Sequence, residues 1–149
     1  MIEPRFSTPV DDSYVSAIGR AAFCFMVLEW NAVYCCESLK NGIIHALARK
    51  TAGGIATQFI KLAENELPTS KNKIALVAAA YEFKGLVQLR NRLLHAHPCA
   101  QPGNPHNSRI SHEAGVWELE DINLAADSFS ILNGKLSDFN HGFLKPMRK

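Results

Sequence analysis

The feature that most constrains this chain is the recurrence of apolar residues at intervals of three and four. This spacing places the apolar side chains on one face of an α-helix. It runs through residues 12–39, 51–66, 73–97 and 118–140. The core positions predicted for the first and last of these helices are Ile18, Ala21, Ala22, Phe25, Leu28, Ala32, Cys36 and Leu39, followed by Ile122, Ala125, Phe129, Leu132, Leu136 and Phe139. With few strand signals, the pattern predicts an all-α fold, a helical bundle of four to five helices.

The segments between these helices contain turn-forming residues. Asn41-Gly42 predicts a break after the first helix, followed by a short helical piece. Pro98 ends the third long segment, and residues 98–109 form a polar stretch rich in Pro, Gly and Asn that predicts a loop. A short hairpin around Ala114-Gly115 is the one strand signal before the last helix.

Length and composition predict a single domain over residues 1–149. Residues 1–11 predict an irregular arm, and residues 144–149 a loose basic tail. The formal net charge of +2 is too small to indicate nucleic-acid binding by itself. The N-terminus lacks the apolar segment of a signal peptide, and no apolar run is long enough to cross a bilayer.

The four cysteines have no C-x-x-C spacing, which argues against a disulfide framework and favours a reducing cytosol. Neither the cysteines nor the histidines have the spacing of a zinc site, and Gly53-Gly54 lacks the pattern of a phosphate-binding loop. We therefore expect a soluble cytoplasmic protein without a metal or a cofactor.

One residue does not fit the helical pattern. In the stretch "LVQLRNRLLHAHP", residues 86–98, Arg90 lies near the middle of the apolar face. On a helical wheel advancing about 100° per residue, Phe83, Leu86 and Leu94 all fall within roughly 40° of it. A guanidinium cannot escape burial by losing its proton, and burying it without a partner is prohibitive.

Three placements of Arg90 remain open. It can pair with a buried carboxylate, and Glu29, on the apolar stripe of the first helix, is the natural candidate. It can lie at the rim of a cleft. Alternatively, its face can open onto a second subunit.

The residues around Arg90 favour a chemical role. Asn91 follows directly, and His95 comes after one further turn, close to the end of the helix. Histidine can accept or donate a proton near neutral pH, and a fixed arginine can hold a phosphate and stabilise the charge that develops on it. These groups suit metal-independent cleavage of a phosphodiester. The following segment adds His106, Arg109 and His112.

The segment "RNRLLH", residues 90–95, resembles the R-x4-6-H signature of HEPN domains, including the polar residue directly after the arginine. HEPN domains are small helical bundles, and many are ribonucleases of toxin–antitoxin, abortive-infection and CRISPR-associated systems. The resemblance extends over about residues 12–143. It implies that Arg90 and His95 are the catalytic pair and that Asn91 supports them.

The same resemblance implies partners. HEPN proteins generally form homodimers in which two motifs face one composite cleft, and many toxins of the family have an antitoxin or another regulatory partner. In this chain, the surface beside Arg90 would be lined by Leu86, Val87, Leu93 and Leu94. The substrate would be RNA, cleaved through its own 2′-hydroxyl.

Three further residues are supporting candidates: Glu29, Arg92 and His97. Arg92 is either a phosphate contact or a solvated surface charge. His97 occupies the position at which some HEPN toxins carry a tyrosine, so regulation through that tyrosine is not expected. If Arg90 is instead locked to Glu29, the chain would serve as a non-catalytic dimerisation or adaptor module, and a nucleotide-binding module is a third alternative.

Overall fold

A computed structural model of the chain describes residues 3–149. Five helices and three strands follow one another in the order α1 (Asp12–Leu39), α2 (Ile44–Leu47), α3 (Ala52–Asn65), α4 (Lys71–Leu94), β1 (His97–Gln101), β2 (Asn104–His112), β3 (Gly115–Val116) and α5 (Leu119–His141). A single 3₁₀ turn, Lys145–Met147, ends the chain. The four long helical segments predicted from apolar spacing are confirmed.

Each of the four long helices contributes one fully buried phenylalanine to the centre of the bundle. The Phe25 ring of α1 stacks on Phe83 of α4 at 6.1 Å and meets Phe129 of α5 edge-on at 5.2 Å. Phe59 of α3 packs against Phe83 at 6.4 Å. Aromatic rings bury large areas and prefer such offset or edge-on geometries, so these contacts fix how the helices meet.

Helices α1 and α5 run parallel. Tyr14, near the start of α1, binds the segment before α5, and Phe25 meets Phe129 at mid-helix. Helix α4 runs antiparallel to α5, because Glu82 pairs with Lys135, whereas Arg92 lies across a cavity from the first turn of α5. The C-terminal end of α4 therefore lies at the same end of the bundle as the starts of α1 and α5.

The prediction of an all-α fold is wrong, because α4 and α5 are joined by a three-stranded antiparallel sheet in the order β1-β2-β3. Gln101 pairs with Asn104 across a tight turn in which Gly103 has a φ of +77°, a conformation that suits glycine. The hairpin expected around Ala114-Gly115 is present as β2–β3. The segment predicted as a polar loop, residues 98–109, instead forms most of β1 and β2.

The sheet is anchored to the bundle by Arg109, which is only 8% exposed. Its Nη2 donates to the Asp11 carboxylate at 2.9 Å, and its guanidinium lies 4.4 Å from the centre of the Tyr14 ring. The Tyr14 hydroxyl accepts a hydrogen bond from the Ile110 amide and donates one to the Trp117 carbonyl. The start of α1 thus holds the β2–β3 hairpin at its open end, where Ile110 and Trp117 lie opposite each other.

The chain ends are less loose than their composition suggests. The arm has neither helix nor strand, as predicted, but the Ser108 amide of β2 donates to the Pro9 carbonyl at 2.8 Å. Positions 1 and 2 of the predicted arm lie outside the described residues. In the C-terminal tail, Leu144 is fully buried and Arg148 donates to the Ser38 hydroxyl and the Asn140 carbonyl. The prediction of a loose tail is therefore wrong.

Within residues 3–149, no helix combines the length and the apolar character needed to cross a membrane.

Replacing Arg109 with Ala should lower the free energy of unfolding by about 2 kcal/mol, because hydrogen bonds to a charged group and a contact with an aromatic ring are lost. Denaturant unfolding measures this change. Arg5→Ala is the control, since Arg5 pairs with Glu3 on the surface with its side chain 89% exposed. Equal midpoints for the two variants would contradict the anchoring role of Arg109.

The destabilisation caused by Arg109→Ala should depend on pH. Hydrogen bonds from Asn107 and then Arg109 hold the pKa of Asp11 below its ordinary value of 3.8. A depressed carboxyl pKa stabilises the fold above the unfolded value, and this stabilisation is lost as the pH falls through the folded value. The difference in the free energy of unfolding between wild type and Arg109→Ala should therefore narrow as the pH falls below 3.8 and through the lower pKa that Asp11 has in the folded protein.

Candidate functional site

The motif of residues 90–95 lies at the C-terminal end of α4, directly before the sheet. The Ser70 side chain caps the start of this helix by accepting from the Lys73 amide at 3.2 Å. At the other end, His95 is the C-cap, and its amide donates to the carbonyls of Asn91 and Leu93. Pro98, three residues beyond the cap, cannot continue a helix. Residues 90–94 are thus helical, whereas His95 already has a non-helical backbone.

Arg90 is half-buried, and its guanidinium carbon lies 5.0 Å from the centre of the buried Phe25 ring. Nη1 donates to the Asn91 Oδ1 at 2.8 Å. Nε is buried and has no hydrogen-bond partner among residues 3–149. The arginine is therefore placed by an aromatic contact and an amide, neither of which neutralises its charge.

Glu29 does not lock Arg90 in an ion pair, because among the described residues no carboxylate oxygen lies within 4.0 Å of its guanidinium. The two side chains nevertheless interact. Burial of the half-buried Glu29 raises the pKa of its carboxyl, and the positive charge of Arg90 offsets part of this rise. Arg90 therefore lies beside a carboxyl group whose charged form is disfavoured by burial.

The Asn91 side chain accepts from Arg90 and makes no hydrogen bond to the His95 side chain, so it holds the arginine. The His95 side chain is exposed and makes no hydrogen bond within the described part of the chain. The structure thus brings Arg90, Asn91 and Glu29 together, while His95 stands at the solvent side of the same helix end.

His97 lies outside α4. It begins β1, where it pairs with Ser111 and is exposed. The prediction that the helix runs to residue 97 is wrong, because α4 ends at Leu94, three residues earlier than the apolar pattern suggests. His106 is exposed on β2, and Arg109 is engaged by Asp11, so neither joins Arg90.

Arg92 points to a different surface of α4. It lines a cavity of about 310 Å³ between this helix, the β2–β3 hairpin and the first turns of α5. His112, Trp117 and Asp121 line the same cavity, and the His112 Nδ1 is buried without a hydrogen-bond partner among residues 3–149. Sequence reasoning missed this cavity, because no spacing in the chain indicates that the hairpin folds back over α4.

The predicted interface beside Arg90 is wrong in two of its four residues. Val87 and Leu93 are 1% and 2% exposed inside their own protomer, so they cannot line a contact with a second subunit. Leu86 is half-buried and Leu94 is exposed.

Across residues 3–149, no three metal-ligating side chains gather in one place. Comparisons of the chain with family models, with curated proteins and with solved structures find no match.

Replacing Arg90 with Met should raise the pKa of Glu29 further, because the positive charge that lowers it is removed while the burial that raises it remains. NMR titration of the Glu29 carboxyl carbon measures this shift. Arg92→Met is the matched control, since Arg92 lies two residues away on the same helix, whereas the positive charge that lowers the pKa of Glu29 belongs to Arg90. A Glu29 titration that is the same in both variants would contradict the proximity of Glu29 and Arg90.

Proposed function

We propose that this protein is a metal-independent endoribonuclease of the HEPN type, with Arg90, Asn91 and His95 as its working residues. The observation that supports this most is that Arg90 is placed without being neutralised. Its guanidinium is held by Phe25 and Asn91, and it has no ion-pair partner within the described residues. A positioned cation beside a buried apolar ring is suited to a phosphate anion.

The chemistry follows from the substrate and these side chains. The RNA 2′-oxygen attacks the adjacent phosphorus, the bond to the 5′-oxygen breaks, and the products carry a 2′,3′-cyclic phosphate and a 5′-hydroxyl. One proton must leave the 2′-hydroxyl and one must reach the 5′-oxygen. His95 performs one of these transfers, and Arg90 stabilises the negative charge on the phosphorane-like transition state.

The two proton transfers give a chemical reason for the proposed homodimer. One histidine is unprotonated when it accepts a proton, whereas the group that donates must be protonated. Two copies of His95 in one composite cleft could divide these roles. The proposal therefore includes a homodimer acting on RNA in the cytoplasm, as a toxin or phage-defence effector with an antitoxin or another regulatory partner.

A non-catalytic dimerisation or adaptor module is the second candidate. It is favoured by the His95 imidazole, which makes no hydrogen bond to Arg90 or Asn91.

His95→Ala should reduce RNA cleavage by about 10²–10⁴-fold, the usual contribution of general acid–base catalysis. Arg90→Ala should cause a comparable loss, and both variants should fold normally by circular dichroism. The assay uses total RNA with EDTA present. His45→Ala and Arg49→Ala are the matched controls, because both residues are exposed and lie away from the motif. Loss of wild-type cleavage in EDTA would contradict the metal-free mechanism. Equal cleavage by wild type and His95→Ala would exclude His95 as the residue that transfers a proton.

An RNA oligonucleotide with a single 2′-deoxy residue should resist cleavage at the phosphodiester on the 3′ side of that residue, because the 2′-hydroxyl nucleophile is missing there. The other linkages should still be cut. Gel separation with end-group analysis measures this. Cleavage at the modified linkage, or products with a 5′-phosphate, would indicate attack by water instead.

A further inference from the structure

Helix α1 carries an exposed apolar stripe on the side that faces away from the core. It consists of Phe23, Met26, Val27, Trp30 and Tyr34, hereafter the α1 stripe, whose exposed fractions range from 38% to 66%. Trp30 and Tyr34 pack against each other at 6.0 Å, so the stripe is a continuous surface. No charged residue interrupts it, and the other exposed residues of α1 are polar or glycine: Asp12, Ser13, Ser16, Gly19 and Arg20.

The size of the stripe suits a protein interface. If each of these side chains offers ~200 Å² when fully exposed, the five leave about 500 Å² of accessible, largely apolar surface. A standard interface buries about 800 Å² per partner, of which rather more than half is apolar. The stripe with its polar border therefore matches one half of such an interface.

The charges at the two ends of the stripe point to a second copy of this chain. Arg20 precedes the stripe and is exposed, without an ion-pair partner among residues 3–149. Glu37 follows it, and its carboxylate accepts hydrogen bonds from the amides of Gly42 and Ile44, which fix its position. Opposite charges at opposite ends of one surface become complementary when two copies pair in antiparallel fashion.

One register satisfies both the charges and the apolar side chains. If a two-fold axis passes between positions 28 and 29, each residue faces the partner residue whose number adds with its own to 57. Arg20 then faces the partner's Glu37, Phe23 faces the partner's Tyr34, and Val27 faces the partner's Trp30. Large aromatic and aliphatic side chains meet along the centre, and the two ion pairs close the ends.

We propose that the α1 stripe is the two-fold interface of a homodimer in which two α1 helices pack antiparallel in this register. The surface that the sequence indicated beside Arg90 is not needed for the association.

The pairing has a consequence that rests on the proposed function. Glu29 lies about 100° around the helix from Trp30 and next to the two-fold axis along its length. The two-fold axis is perpendicular to both α1 helices and to the line joining them. Such an axis places the same flank of each helix on the same side of the dimer. The two Glu29 and Arg90 groups would therefore flank the axis on the same side, as one composite cleft requires.

Sedimentation velocity on the full chain tests the interface. We expect a wild-type dimer, a monomer for the double variant Phe23→Ser, Trp30→Ser, and a dimer for Ile74→Ser. Ile74 is the matched control, because its exposed fraction of 66% equals that of Phe23 and it lies at the start of α4. A monomeric wild type, or a double variant that still dimerises, would overturn the proposal, and so would a monomeric Ile74→Ser variant.

Crosslinking tests the register. Two single variants, Phe23→Cys and Tyr34→Cys, are prepared with Cys24 and Cys99 replaced by Ser and treated with a short thiol-specific crosslinker. Mixing them should give a mixed dimer, whereas each alone should not crosslink, because its two thiols would lie about 16 Å apart along the helices. Self-crosslinking of either variant that equals the mixed product would overturn the antiparallel register.

The two proposals fail in different ways. A wild-type dimer that does not cleave RNA in EDTA would contradict the proposed nuclease and leave the proposed interface intact. Cleavage by a wild-type monomer would exclude the α1 interface and the composite cleft, and would leave only the cleavage chemistry of a single Arg90–His95 motif. If both hold, mixing Arg90→Ala with His95→Ala protomers should restore part of the activity through the composite cleft.

Discussion

The packing of four phenylalanine rings at the centre of the bundle determines where the candidate site can form. Phe25 meets Phe83 and Phe129 and so fixes α1 relative to both α4 and α5. This arrangement puts the Phe25 ring beneath Arg90, which lies about two helical turns beyond Phe83 on the same face of α4. The guanidinium thus stands on the edge of the core, where its stem is buried and its charge can be reached.

Two arginines show opposite solutions to the problem of a charge near the core. Arg109 is almost fully buried and is neutralised by Asp11, so its role is to hold the sheet. Arg90 is half-buried beside Glu29, whose pKa burial raises, and it makes no ion pair within the described residues. A cation that the protein does not neutralise attracts an anion, which is why the phosphate hypothesis concerns Arg90 and not Arg109.

The candidate site was predictable in part. Arg90 was found because a permanent charge inside an apolar helical series is conspicuous, and Asn91 because it is adjacent in sequence. The position of His97 was predicted wrongly, since the end of α4 depends on how the chain enters β1. The cavity lined by Arg92 and His112 had no sequence signal, because it forms only where the hairpin, α4 and α5 meet.

The long helices were determined by the sequence, since an apolar residue at every third or fourth position can be buried only as one face of a helix. The sheet was decided by the tertiary structure. Its strands lack alternating apolar residues, and their order depends on distant partners: the Pro9 carbonyl, the Asp11 carboxylate and the Tyr14 hydroxyl. Local spacing specifies which face of an element is apolar. Only the assembled fold specifies which polar groups meet across the chain, because those contacts join residues about a hundred positions apart.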